Sequence, residues 1–152
     1  MRVAFDSNIL AYLAGVSHGE ADDAKIGLIR SAVRKLKDGV TFVAPLQALG
    51  ELFVVLRRSG AEAAAARQTV LEFTEAFGTA ATGDDTLLAA LDLVVDHKLQ
   101  YWDALIVSAA VEAGCTLLLS EDMQHGFVVR GMTVVNPLAA KTHPKLEPLL
   151  AN

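Results

Sequence analysis

Positive charge is scarce in this chain: 13 lysines and arginines face 18 aspartates and glutamates, a formal net charge of −5. A domain that grips nucleic acid by charge alone carries a basic excess, so that mode of binding is disfavoured. Cysteine is nearly absent. Cys115 has no second cysteine to pair with, which excludes an intramolecular disulfide and fits a reducing compartment. Its apolar neighbours mark it as a small core residue rather than a nucleophile. The histidines His18, His97, His125 and His143 include neither an i,i+4 pair nor a Cys–His cluster, so no zinc site is expected. Long apolar runs are missing too. None approaches the ~18 residues of a membrane-spanning helix. The apolar N-terminus is broken early by Asp6, Ser7 and Asn8 and preceded only by Arg2. Neither a membrane segment nor a secretory signal is expected, and the chain reads as cytoplasmic.

What the chain does have is core material, since 53% of its 152 residues are hydrophobic. That is ample for one ordered domain. No repeat, low-complexity block or linker divides it. Short apolar strands are expected at Val3–Phe5, Thr41–Val43, Thr116–Leu119 and Met132–Val135, with a weaker one at Thr79–Thr82. Helices are expected at Ile9–Leu13, capped by Ser7 or Asn8, and at Ala21–Lys37, where Ile26, Ile29, Val33 and Leu36 form one stripe. A third should run from Pro45 in its first turn to Arg58, with others at Glu62–Phe77, Asp84–Asp96 and Trp102–Ala113. From Pro137 the chain reads as an irregular tail. Strands alternating with helices indicate a parallel sheet covered on both faces. Ligands in such sheets bind beyond the carboxyl ends of the strands.

Four acids draw attention by that rule. Asp6 directly follows the first strand, and Asp122 comes three residues after Leu119. Either is equally suited to serve only as a helix cap. Asp103 lies in the first turn of a helix that is apolar all round, where an unpaired carboxylate is costly to desolvate. Glu51 sits with Gln47 and Arg58 on the polar face of its helix, which is equally consistent with a wet surface. If the four converge, two carboxylates about 4 Å apart repel by roughly 4 kcal/mol at an effective dielectric of 20. Relief requires protonation or a cation, and oxygen-only ligands select hard ions such as Mg²⁺ or Mn²⁺.

At these residues the chain resembles the PIN-domain nucleases, in particular VapC-type toxins of toxin–antitoxin pairs. VAFDSNIL is similar to that family's first motif, APLQALGEL to its second, YWDALIVSAAVEAG to its third and LLLSEDMQHG to its fourth. The blocks occur in the family order between Val3 and Pro137. The resemblance implies a PIN-like three-layer α/β/α sandwich with a central, mostly parallel sheet of four to five strands. The nuclease domain would span 1–137, followed by an irregular tail over 138–152. It implies a metal-dependent ribonuclease with Asp6, Glu51, Asp103 and Asp122 as catalytic residues around Mg²⁺ or Mn²⁺. Asp6, Asp103 and Asp122 would be direct ligands, and Glu51 a further ligand or a helper in deprotonating water. Asn8 and Ser120 would support the acids by hydrogen bonds. Glu121, beside Asp122, and His125 are weaker alternatives as a ligand and a phosphate contact. The implied partners are an RNA substrate, a cognate antitoxin and a second copy in a homodimer. Arg30, Arg34, Lys35, Arg57 and Arg58 are candidates for RNA contact, although clustered basic residues on helices equally make solvated faces. A haloacid-dehalogenase-type phosphatase is disfavoured, because Asn8 stands where its second Asp is needed. A non-catalytic PIN-fold binding module is the stronger rival.

Overall fold

A computed structural model describes residues 1–151 of the chain. Its elements run β1 (Arg2–Phe5), α1 (Ser7–Leu13), α2 (Glu20–Leu36), β2 (Thr41–Pro45), α3 (Leu46–Arg58) and α4 (Ala63–Ala76). They continue with β3 (Gly78–Ala80), α5 (Asp84–His97), α6 (Tyr101–Glu112), β4 (Leu117–Leu119), β5 (Val128–Val129), β6 (Met132–Val135) and α7 (Glu147–Leu150). The strands form one sheet in the order β3-β2-β1-β4-β6-β5. All pairs are parallel except β5 with β6. Helices cover the sheet in a three-layer α/β/α arrangement.

The central strands are apolar wherever both of their faces are covered. Val3, Ala4 and Phe5 of β1 and Leu117, Leu118 and Leu119 of β4 are buried in register. Phe5 stacks on Phe42 with ring centroids 4.9 Å apart, and Phe77 meets both edge-on. This aromatic cluster locks β1 and β2 to the end of α4. Helix α6 packs on α5 and is buried from Ala104 to Ala110, as a helix apolar all round must be. No described helix is long and apolar enough to cross a membrane.

Three expectations need correcting. The sheet has six strands rather than four to five, because β5 folds back on β6 through Arg130 and Gly131. Both have positive φ, 48° and 82°, as a two-residue hairpin turn of this kind requires. Pro45 closes β2 instead of entering the helix: its backbone is extended and pairs with Ala80 of β3, while pairing with β1 ends at Val43. The tail over 138–152 is not wholly irregular. Leu146 is buried, α7 packs on α2, and Lys145 Nζ donates to Thr133 Oγ1 of β6 at 2.6 Å. Pro148 falls in the first turn of α7, where its missing N–H leaves no intrahelical bond unmade.

Candidate active site

The chain direction brings the acids to one edge. Strands β1, β2 and β4 are parallel, so Asp6, the start of α3 and Ser120 all follow strand ends on the same side. Helix α6 leads directly into the entry end of β4, so its first turn, with Asp103, stands at that same carboxyl edge.

Asp6 is the best-held of the four. It is buried, and its backbone N–H donates to Leu119 O at 2.9 Å, a continuation of the β1–β4 ladder. Oδ1 accepts from Ser7 N at 2.7 Å, while Oδ2 accepts from Ser120 Oγ at 2.6 Å and Asn8 Nδ2 at 3.3 Å. Ser7 Oγ adds a longer contact to Oδ1 at 3.5 Å. Burial pushes the Asp6 carboxyl from 3.8 up to about 6. Ser120 and Ser7 N pull it down, and the charges of Asp103 and Glu51 push it further up. Burial also raises Asp103, with Glu51 and then Asp122 adding to the rise. The fields of the four acids therefore overlap, through Asp6 with Asp103 and Glu51, and through Asp103 with Glu51 and Asp122.

Asn8 and Ser120 hold the frame. Asn8 donates to Asp6, and its Oδ1 accepts from Glu121 N at 3.2 Å. Ser120, fully buried, donates to Asp6 while its oxygen accepts from Met123 N at 3.1 Å. Each thus ties α1 or Asp6 to the loop that carries Asp122. Asp122 itself is exposed; Glu51 and Asp103 are half-buried.

Glu121 points elsewhere: Tyr12 donates to Oε1 at 2.6 Å and Lys25 pairs with Oε2 at 2.9 Å. Burial and the hydrogen bond to Glu121 push the Tyr12 phenol up to about 12. His125 is occupied as well, its Nδ1 accepting from Asn136 N at 2.9 Å. The five basic candidates separate. Arg30 donates to Leu13 O and Arg57 to Ala61 O, so both brace backbone turns. Arg34 and Lys35 close α2 and lead to the entry end of β2, the edge opposite the acids. Arg58 alone borders the site. Arg34 and Lys35 thus lie away from the acidic edge, as solvated helix residues can.

Two hollows flank Ser7. One, of about 240 Å³, is lined by Asn8, Tyr12, His18, Asp22 and Asp122 among others. The second, of about 560 Å³, is lined by Gln47, Gly50, Glu51, Val54, Val55, Arg58, Gln100 and Trp102. Tyr12, Trp102 and Gly50 are site-lining residues that sequence reasoning missed. Trp102 was detectable as a large apolar residue beside a first-turn acid.

As the side chains stand, no group of three or more His, Cys, Asp or Glu among the described residues is placed to hold a metal ion. The donor set nevertheless suits a hard divalent cation. It is all oxygen, carried on adjoining strand and helix ends, with Asp6 held in place by Ser7, Asn8 and Ser120.

A carboxylate thus follows β1, a glutamate sits on α3, an aspartate opens α6 and another follows β4. The family model described as the PIN domain matches residues 3–126. The chain belongs to the PIN-domain family. No curated protein matches it in sequence. Solved PIN-like structures match it in fold. A toxin–antitoxin complex from Klebsiella pneumoniae aligns with TM-score 0.62 and 20% identity, over 89% of this chain and 97% of that one. VapBC2 from Rickettsia felis, bound to a DNA fragment from its promoter, aligns at 0.61 and 14%, over 79% and 87%. Mycobacterium tuberculosis VapC20, a Sarcin-Ricin loop cleaving toxin, aligns at 0.57 and 19%, over 76% and 86%.

Proposed function

We propose that this PIN-domain protein is a metal-dependent endoribonuclease of the cytoplasm, the toxin of a toxin–antitoxin pair. The observation that carries the reading is the placement of four carboxylates at one sheet edge, with Asp6 buried and held there by Ser7, Asn8 and Ser120. Desolvating an acid among acids is costly, and the cost is relieved by protonation or by a compensating cation. In this reading Asp6, Asp103 and Asp122 hold Mg²⁺ or Mn²⁺, with Glu51 beside them. The ion supplies Lewis acidity and offsets the charge that builds at a phosphodiester during in-line displacement.

The chain's own residues do the rest. Ser7 N, Ser120 and Asn8 fix the orientation of Asp6, so it does not have to be organised during the reaction. Gln47 Nε2 donates to Glu51 Oε1 at 3.3 Å, leaving Oε2 free to take a proton from the attacking water. The catalytic unit is taken as residues 1–137, since the last strand ends at Val135, with 138–152 a segment that packs back on α2 and β6.

The toxin role and an antitoxin partner rest on the toxin–antitoxin complexes among the structural relatives. An RNA substrate rests on the cleaving toxin among them. A homodimer is supported by the exposed stripe of Leu88, Leu91 and Val95 on α5, which are 59%, 45% and 78% exposed. Large contiguous apolar faces mark interaction sites.

The test is a gel assay with labelled unpaired and structured RNAs, run with Mn²⁺ and with EDTA. Cleavage by the wild type that requires metal and is lost in Asp103→Asn supports the reading. No cleavage of any RNA, or equal cleavage by Asp103→Asn, overturns it.

A further inference from the structure

The groove beside Glu51 has features that metal binding does not use. One wall carries Trp102, 49% exposed although its helix is buried from Ala104 to Ala110. Tyr101 meets its indole edge-on, with centroids 4.9 Å apart and planes at 66°, which steadies the ring. The opposite wall is α3, where Gly50 sits mid-helix. Glycine weakens a helix relative to alanine, and here no packing calls for it: a Cβ at Gly50 would meet nothing within 4 Å. Its effect is to keep the groove floor low between Gln47 and Val54. At the far end Arg58 supplies a cation.

Resting on the ribonuclease reading, we propose that this groove is a nucleotide subsite next to the cleavage centre. An unpaired base stacks on the face of Trp102, over the floor left open by Gly50, and Arg58 contacts a neighbouring phosphate. The volume of about 560 Å³ lies in the range of small-ligand pockets. The base must be unpaired and splayed out, because in a duplex both of its faces are already stacked. A second copy of the chain is the less suited occupant. Charged residues are depleted at the cores of such interfaces, whereas Glu51 and Arg58 both line this groove. The uncharged apolar stripe lies on α5 instead.

Trp102 is the only tryptophan in the chain, so its fluorescence reports the subsite directly. The Asp6→Asn variant in Mg²⁺ is titrated with a short unpaired oligoribonucleotide and with the same strand in a duplex. Saturable quenching by the unpaired strand and not by the duplex is expected. Trp102→Ala should weaken binding by anisotropy about 5- to 150-fold, the range for loss of one stacked base, and Trp102→Phe should recover most of it. Gly50→Leu should leave thermal stability unchanged or raised while raising KM for cleavage in the otherwise wild-type background.

Binding without quenching, no binding, or equal affinity in Trp102→Ala overturns the subsite. A fluorescence change that follows protein concentration without RNA also overturns it and makes this face a contact between copies. If the wild type cleaves RNA while Trp102 stays silent, the subsite fails and the ribonuclease reading stands. If Trp102 is quenched but no RNA is cleaved, the subsite stands and that reading fails.

Discussion

Replacing Asp6 by an asparagine should make the metal-free protein less sensitive to pH. The wild-type carboxyl is pushed from 3.8 in the unfolded chain to about 6 in the folded one, chiefly by burial. A raised carboxyl contributes its full stability only below pH 3.8, where both states hold the proton. That contribution is lost as pH rises through 6. The whole difference corresponds to about 3 kcal/mol, of which about 2 kcal/mol falls between about pH 4.5 and pH 7. The amide of the Asp6→Asn variant cannot ionise and escapes this loss. It still accepts from Ser7 N, but its NH₂ group faces the Ser120 hydroxyl and Asn8 Nδ2, at a pH-independent cost of about 1 kcal/mol. Urea denaturation followed by circular dichroism, in EDTA at both pH values, isolates the effect as the variant-minus-wild-type difference. That difference should move in favour of Asp6→Asn by about 2 kcal/mol on going to about pH 7. A difference that does not change with pH would refute the claim that Asp6 is buried in the field of the other acids.

Ser120→Ala removes a donor to Asp6 and the acceptor of Met123 N, so it should destabilise the fold by about 1–3 kcal/mol in denaturant. The same change withdraws a hydrogen bond that lowers the Asp6 carboxyl, and the acid limb of the cleavage profile should move to higher pH. Glu121→Gln should retain metal-dependent cleavage, since Glu121 is engaged by Tyr12 and Lys25, whereas Asp122→Asn should reduce it by more than about 100-fold in the gel assay. Leu146→Ala should cost about 2–5 kcal/mol by thermal or urea unfolding, as a buried leucine truncation does, while leaving the cleavage rate of the folded protein intact.

The elements with strong periodicity were legible in the sequence because pattern and packing agree there. β4 and β1 from Val3 are apolar runs, β6 is broken only by Thr133, α2 keeps its stripe with Ile26, Ile29 and Leu36 buried, and α6 is greasy all round. Other parts depend on partners distant in the chain. β5 is two residues long and is a strand only because Val128 and Val129 pair with β6. Its turn places Arg130 at positive φ, where Asn or Gly would have signalled it. α7 looked irregular because Pro148 reads as a breaker until Leu146 is seen to be buried. In the candidate site, the strand-end rule singled out Asp6 and Asp122, with capping as the alternative, and desolvation logic singled out Asp103. Glu51 stood out only through family resemblance, since half-burial beside Gln47 leaves no pattern. The roles of Tyr12 and Lys25 toward Glu121 link residues far apart in the chain and have no local signature.

A crystal of the wild-type protein soaked in Mn²⁺, with the metal located by its anomalous scattering, bears most directly on the account. Manganese should appear between Asp6, Asp103 and Asp122 at about 2.0–2.2 Å from their oxygens, with Glu51 alongside. Saturating Mn²⁺ that leaves this edge vacant, or that binds only at other acids, would contradict it.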